Sequence, residues 1–136
     1  MRLDQGINDY LPPDGGIVSR IAPTPSGFLH AGNAYNFILT YLLTRSVSGI
    51  LHLRIDDYDL SRYRREFVQN IFDVLEFLGL ECDKGPVCTS DFEQNFSFKV
   101  RAKRYEDVLK KLDEIYICEC SRTTKGAYKN GIYTKI

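Results

Sequence analysis

The apolar positions along the chain fall into two kinds of run. Residues 17–22 (IVSRIA) and 50–55 (ILHLRI) are short and rich in β-branched side chains, the first ended by Pro23 and the second by the acidic turn DDYD. They predict two buried parallel strands. Between them Ala34, Phe37, Ile38, Tyr41 and Leu42 recur at the spacing of one helix face, and Gly49 supplies a stop. Phe67, Ile71, Val74, Leu75 and Leu78 mark a second helix closed by Gly79, and Tyr105, Val108, Leu109 and Leu112 mark a third. The stretch CDKGPVCTSD is turn-rich, YICEC after the third helix reads as another short strand, and residues past Ser121 read as irregular. The predicted order β-α-β-α-α-β is that of an α/β fold, an open parallel sheet with flanking helices.

Bulk composition narrows the picture. A chain of 136 residues is long enough for one core. The expected division is a loose arm over 1–16, one core domain over 17–120, and a tail over 121–136 that carries Arg122, Lys125, Lys129 and Lys135 but no acid. Hydrophobic residues at 43% and charged residues at 26% argue against wholesale disorder. With 18 basic and 18 acidic residues there is no global field to draw the chain onto nucleic acid, so any such contact must be local. The apolar stretch FILTYLLTRSVSGILHL is interrupted by Arg45 and Gly49 and falls short of the ~20 residues of a spanning helix. The first sixteen residues hold no apolar run of a signal peptide. A cytoplasmic chain without a membrane partner is expected, in which Cys82, Cys88, Cys118 and Cys120 are thiols or metal ligands rather than disulfides.

The densest local signal is RIAPTPSGFLHAGNAYNF, residues 20–37. Pro23 and Pro25 hold a loop in one shape at little entropic cost. Gly27 and Gly32 let a flat ligand approach the main chain. A helix starting near Ala31 turns its unpaired N–H groups and positive dipole end toward His30, which predicts an anion site. Ligands of open parallel sheets bind beyond the carboxyl ends of the strands. That rule brings this loop and the carboxylates Asp56, Asp57 and Asp59 to one crevice, suited to a phosphate on one side and an amine or metal on the other. Simpler roles stand beside these: His30 as a helix cap, Gly32 as a packing residue, and the aspartates as a solvated turn.

Three stretches, RIAPTPSGFLHAGNA from Arg20, LRIDDYDLSRY from Leu53 and FLGLECDKGP from Phe77, together resemble the N-terminal half of the catalytic domain of class I glutamyl-tRNA synthetases. Within that family the chain looks most like the shortened glutamyl-queuosine-tRNA(Asp) synthetases. The resemblance implies a partial Rossmann-like nucleotide-binding domain that takes ATP with Mg²⁺. It implies that Pro23, Gly27, His30, Gly32 and Asn33 meet the nucleotide, with His30 and Asn33 as the catalytic element, His30 on the phosphates and Gly32 under the adenine. Arg20 matches the arginine that pairs with the side-chain carboxylate of substrate glutamate, Thr24 stands where the family has serine, and Asp56 stands where it has the glutamate that holds the substrate amine. Asp56 is one methylene shorter, which alters the reach of that contact.

The family's second element, a mobile lysine loop for the leaving pyrophosphate, has no counterpart in this sequence. Cys118-Glu119-Cys120 resembles the pair that opens the zinc site of the queuosine-related enzymes, with Tyr133 near the usual tyrosine. Three candidates leave a tetrahedron incomplete, so no bound zinc is expected. Basic residues Arg62, Arg64 and Arg65 open the second helix, while Lys99, Arg101, Lys103 and Arg104 precede or open the third; they read as solvated faces or as a weak tRNA contact. The expectation is a truncated glutamyl-tRNA-synthetase-like chain that keeps part of an ATP and glutamate site and does not charge tRNA alone. Its rivals are one half of a split ligase, and an inactive nucleotide-binding paralogue that holds a partner. A second chain, or a second copy of this one, would then cover the open sheet edge.

Overall fold

The computed structural model describes residues 16–113 and the backbone of 128–129 and 132–133. The chain divides into two compact units, Met1–Lys103 and Arg104–Ile136. In the first, β1 (Val18–Ile21) and β2 (Ile50–Leu53) run parallel, with Val18 opposite Ile50 and Ile21 opposite Leu53. They are joined through helix α1 (Ala31–Ser46), so the predicted β-α-β unit forms. The strands are shorter than predicted, yet pairing continues beyond them. The N–H of Arg54 donates to Ile21 O at 2.9 Å, and that of Asp56 to Pro23 O at 2.9 Å.

Helix α2 (Arg65–Phe77) lays Val68, Ile71 and Leu75 into the core, joined there by Ile21, Phe37, Leu51, Leu53, Ile55, Leu80 and Phe92. Its apolar positions repeat at 3 and 4 residues, as an amphipathic helix on a sheet requires. Helix α1 differs from its predicted face. Phe37 and Thr44 are buried and Tyr41 packs on the core, but Ile38 and Leu42 are exposed together with Tyr35, Leu39 and Leu43. A helix apolar on every side cannot bury more than the side its sheet covers.

The stretch read as a turn takes a place beside β2. Leu53 N–H donates to Lys84 O and Asp83 N–H to Leu51 O, both at 2.8 Å, and Lys84 bridges His52 in parallel register. Gly85, at φ +115°, lets this segment lie against the Leu53 carbonyl, where any Cβ would collide. Arg45 in the last turn of α1 ties the arrangement, donating to Asp83 Oδ2 and to Glu81 O at 2.7 Å each. A cation there also suits the helix C-terminus.

Elsewhere the elements depart from the predicted ones. The turn-rich stretch runs into a helical turn at Thr89–Asp91 and a wider one at Phe92–Phe96. The third helix, α3, spans Phe98–Leu109, so it begins before its predicted basic flank ends and leaves Leu112 outside; none of its residues is buried. In the second unit, β3 (Tyr128–Lys129) and β4 (Ile132–Tyr133) pair antiparallel where an irregular tail was expected. The predicted YICEC strand, Cys118 and Cys120 lie outside the described residues. No helix among the described residues is long and apolar enough to cross a membrane.

Candidate functional site

The loop between β1 and α1 borders an open cleft of about 520 Å³. Six predicted site residues line it: Arg20, Pro23, Thr24, Gly27, His30 and Asn33. No acidic side chain does. Pro23 and Pro25 are buried, which anchors the loop from below. From the side, Asn70 of α2 accepts the Leu29 N–H at 2.9 Å, and Phe28 meets Phe67 edge-on at 5.0 Å. The loop is therefore held by the core and by α2, with its polar groups on the open side.

His30 caps α1. Its Nδ1 accepts the Gly32 N–H at 3.0 Å, while Asn33 Oδ1 accepts the His30 N–H at 3.0 Å. The Asn33 and Ala34 N–H groups donate to His30 O. Two of the N–H groups expected to await an anion, those of Gly32 and Asn33, are thus engaged by His30 itself, while the Ala34 N–H makes the first ordinary bond of the helix, which corrects the simple helix-terminus reading. What remains positive is the side chains. With Nδ1 accepting, a neutral ring carries its proton on Nε2, and with Oδ1 accepting, the Asn33 amide keeps its NH₂. Both are donors at the cleft, beside the Arg20 guanidinium and the Thr24 hydroxyl.

Gly32 does not line the cleft, and the His30 ring fills the place of a Cβ there, 2.9 Å away. Its lack of a side chain makes room for the cap. At Gly27 a Cβ would meet nothing within 4 Å, so main chain is open to a ligand.

The acidic turn is dispersed rather than gathered. Asp57 is 3% exposed; its carboxylate accepts the Phe98 N–H at 2.9 Å and pairs with Arg101 Nη2 at 3.1 Å. Arg101 also reaches Ile55 O at 3.4 Å, so it is neither a solvated face nor a free cation. Asp59 accepts from Ser61, a bond that holds its carboxyl below the usual range. Asp56 is exposed and does not line the cleft, although its backbone is bonded to Pro23. The crevice with three carboxylates on one wall does not form.

Among the other basic residues, Arg65 pairs with Glu93 at 3.1 Å and Arg62 with Asp59 at 3.5 Å, while Arg64 donates to the Tyr63 carbonyl at 2.7 Å. Tyr63 donates to Glu93 at 3.0 Å, and burial first, then that contact, pushes its hydroxyl up to about 12. Cys82 is half-buried, and burial raises its thiol; Cys88 is exposed and accepts the Asp91 N–H. No cluster of three or more His, Cys, Asp or Glu among the described residues is arranged to hold a metal. Mg²⁺ accompanying a nucleotide binds largely through phosphates and water, so the residues present do not build an all-protein site for it.

Sequence reasoning missed Asn36, Thr40 and Asn70. Asn36 and Thr40 continue the polar stripe of Asn33 along α1 at helical spacing, and that signal was available. Asn70 acts across 41 residues and left no local trace.

A parallel β-α-β unit with an open cleft beyond its first strand is the repeating unit of a Rossmann-like fold. The profile described as "tRNA synthetases class I (E and Q), catalytic domain" matches residues 16–124. The chain is 35% identical over 102 residues to a glutamate–tRNA ligase of Syntrophotalea carbinolica, covering 75% of this chain and 21% of that one. It is 37% identical over 112 residues to a glutamyl-Q tRNA(Asp) synthetase of Nitratidesulfovibrio vulgaris, covering 78% and 33%. A glutamate tRNA ligase structure from Elizabethkingia meningosepticum, in complex with its amino acid, superposes with a TM-score of 0.58 at 28% identity, over 73% of this chain and 20% of that one. The chain belongs to the catalytic-domain family of class I glutamyl- and glutaminyl-tRNA synthetases. It spans about a fifth to a third of the length of these curated relatives.

Proposed function

We propose that this chain carries the nucleotide side of a glutamate-activating site. ATP lies along residues 23–33, its phosphates facing the Nε2–H of His30 and the amide of Asn33, with Gly27 leaving its main chain open to the base. Glutamate lies toward Arg20, Thr24 and Asp56, its side-chain carboxylate on the Arg20 guanidinium. The family reaction is in-line attack of the amino-acid carboxylate on the α-phosphorus with loss of pyrophosphate. The side chains here bind, orient and offset developing charge; none forms a bond to substrate. One observation carries the reading: four donor side chains and no acid converge on a cleft in a loop of the synthetase family.

Titration with ATP, followed by amide NMR shifts, is expected to perturb Gly27, His30 and Gly32 first. Shifts centred on α3 would overturn the assignment. These 136 residues contain no lysine loop for the departing pyrophosphate, and losing even one preorganised donor commonly costs ~10²–10³ in rate. The chain alone is therefore expected to exchange no labelled pyrophosphate into ATP, and robust exchange abolished by His30→Ala would refute that. A second reading, a split ligase completed by another polypeptide, is favoured by the exposed apolar face of α1 and by the edge of β1 left unpaired among the described residues.

A further inference from the structure

Helix α1 carries a second stripe that the core does not use. Tyr35, Leu39, Leu42 and Ser46 follow one another at intervals of four, three and four residues, the spacing of a helix–helix seam. The stripe lies on the side of α1 opposite the buried Phe37 and Thr44, with Leu43 beside it and Ile38 on its flank. Tyr35 is 70% exposed and Leu42 58%, and Ile38, Leu39 and Leu43 are exposed as well. No charge interrupts them. Arg45 is the one charged side chain of the helix, and it is turned to Asp83 and the Glu81 carbonyl. An uncharged apolar patch with an aromatic side chain has the composition of an interface core.

We propose that this stripe seats a second copy of the chain, α1 against α1 about a two-fold axis. The seam is its own complement. In an antiparallel pair centred between Leu39 and Leu42, Leu39 meets Leu42 of the second copy, and Tyr35, the largest side chain of the seam, meets Ser46, the smallest. A parallel pair would set the two helix dipoles side by side and Tyr35 against Tyr35, so the antiparallel order is favoured. At ~200 Å² per large side chain, scaled by exposure, the stripe and its flank offer on the order of 500 Å² of apolar surface per copy. Two copies then bury about 1,000 Å², the lower limit for a specific interface, so dimer and monomer exchange. Asn36, which lines the loop cleft, stands on the cleft side of the seam, and the second copy brings a further wall to that open side. A different polypeptide, as in the split-ligase reading, is the competing occupant; the symmetry of the seam selects a copy of the chain itself. The inference goes beyond the ligase reading and stands without it.

Sedimentation equilibrium of the full chain, from about 5 to about 500 μM, is expected to show an average mass rising from 15.6 kDa toward twice that value. Leu42→Glu places a charge in the seam twice, by symmetry, and is expected to weaken association by about tenfold or more. Phe77→Glu alters a more exposed side chain, on α2, and is expected to leave association unchanged. Equimolar Leu39→Lys and Leu42→Glu chains are expected to associate about threefold more tightly than either alone, because the antiparallel register sets those positions together. Thermal midpoints at low concentration show whether each variant folds, and Leu42→Gln takes the place of Leu42→Glu if that one does not. A chain that stays monomeric throughout overturns the proposal and leaves the face to a different polypeptide. Association weakened as much by Phe77→Glu as by Leu42→Glu would be general adhesion of apolar surface and overturns it equally. ATP shifts at Gly27 and His30 in a chain that stays monomeric would sink this inference and leave the ligase reading standing, and a dimer indifferent to ATP would do the reverse.

Discussion

Two loops leave the carboxyl ends of adjacent strands, and they are put to opposite uses. The loop after β1 is pinned from outside by Asn70 and Phe67, so its own polar groups stay on the cleft. The turn after β2 is pinned by its own carboxylates, Asp57 on Arg101 and Phe98, and Asp59 on Ser61. A strand end makes a residue available to a ligand. It becomes a ligand group only where the fold has left its hydrogen-bonding capacity unoccupied.

Asp57→Ala is the most severe test of the turn after β2. It strips a nearly buried partner from Arg101 and uncaps Phe98 at once, and breaking such a pair costs about 3–5 kcal/mol. A urea unfolding midpoint lowered accordingly is expected. A change within ~0.5 kcal/mol would return Asp57 to the ranks of surface acids and reopen its candidacy as a ligand. Asn70→Ala addresses the first loop. It leaves the Leu29 N–H without its partner, a loss of about 1–2 kcal/mol, with faster hydrogen exchange confined to residues near 27–30. Asn70→Asp retains an acceptor and is expected to restore protection; failure to do so would mean that packing of Phe28 alone holds the loop.

The smallest effect concerns pH. The Ser61 hydrogen bond lowers the Asp59 pKa in the folded chain, so its contribution to stability is complete above the unfolded-state pKa and is lost as pH falls through the folded value. Ser61→Ala removes the main cause of that shift. Its unfolding midpoint is expected to fall less between about pH 7 and about pH 3 than the parent's. Identical acid sensitivity in the two proteins would show that Asp59 is tied by something other than Ser61.

Much of this was legible in advance, because it depends on local pattern. Runs of β-branched residues, the helical recurrence of Phe67, Ile71 and Leu75, and stops at Pro23 and Gly79 are encoded within a few residues of where they act. The helix-cap role of His30 was legible too, since its partners Gly32 and Asn33 are neighbours in the chain. The family resemblance lay in contiguous motifs and was equally local. Tertiary structure decided what contiguous residues cannot specify. Asp56, Asp57 and Asp59 look alike along the chain, yet one is exposed, one is buried by a residue 44 positions away, and one bonds two residues on. Likewise the outer face of α1 reads as core by periodicity alone, and Arg20, His52 and Lys84 stand side by side only because three distant segments lie in register. Periodicity states which side chains share a face; the elements packed against that face determine whether it is core, ligand wall or open surface.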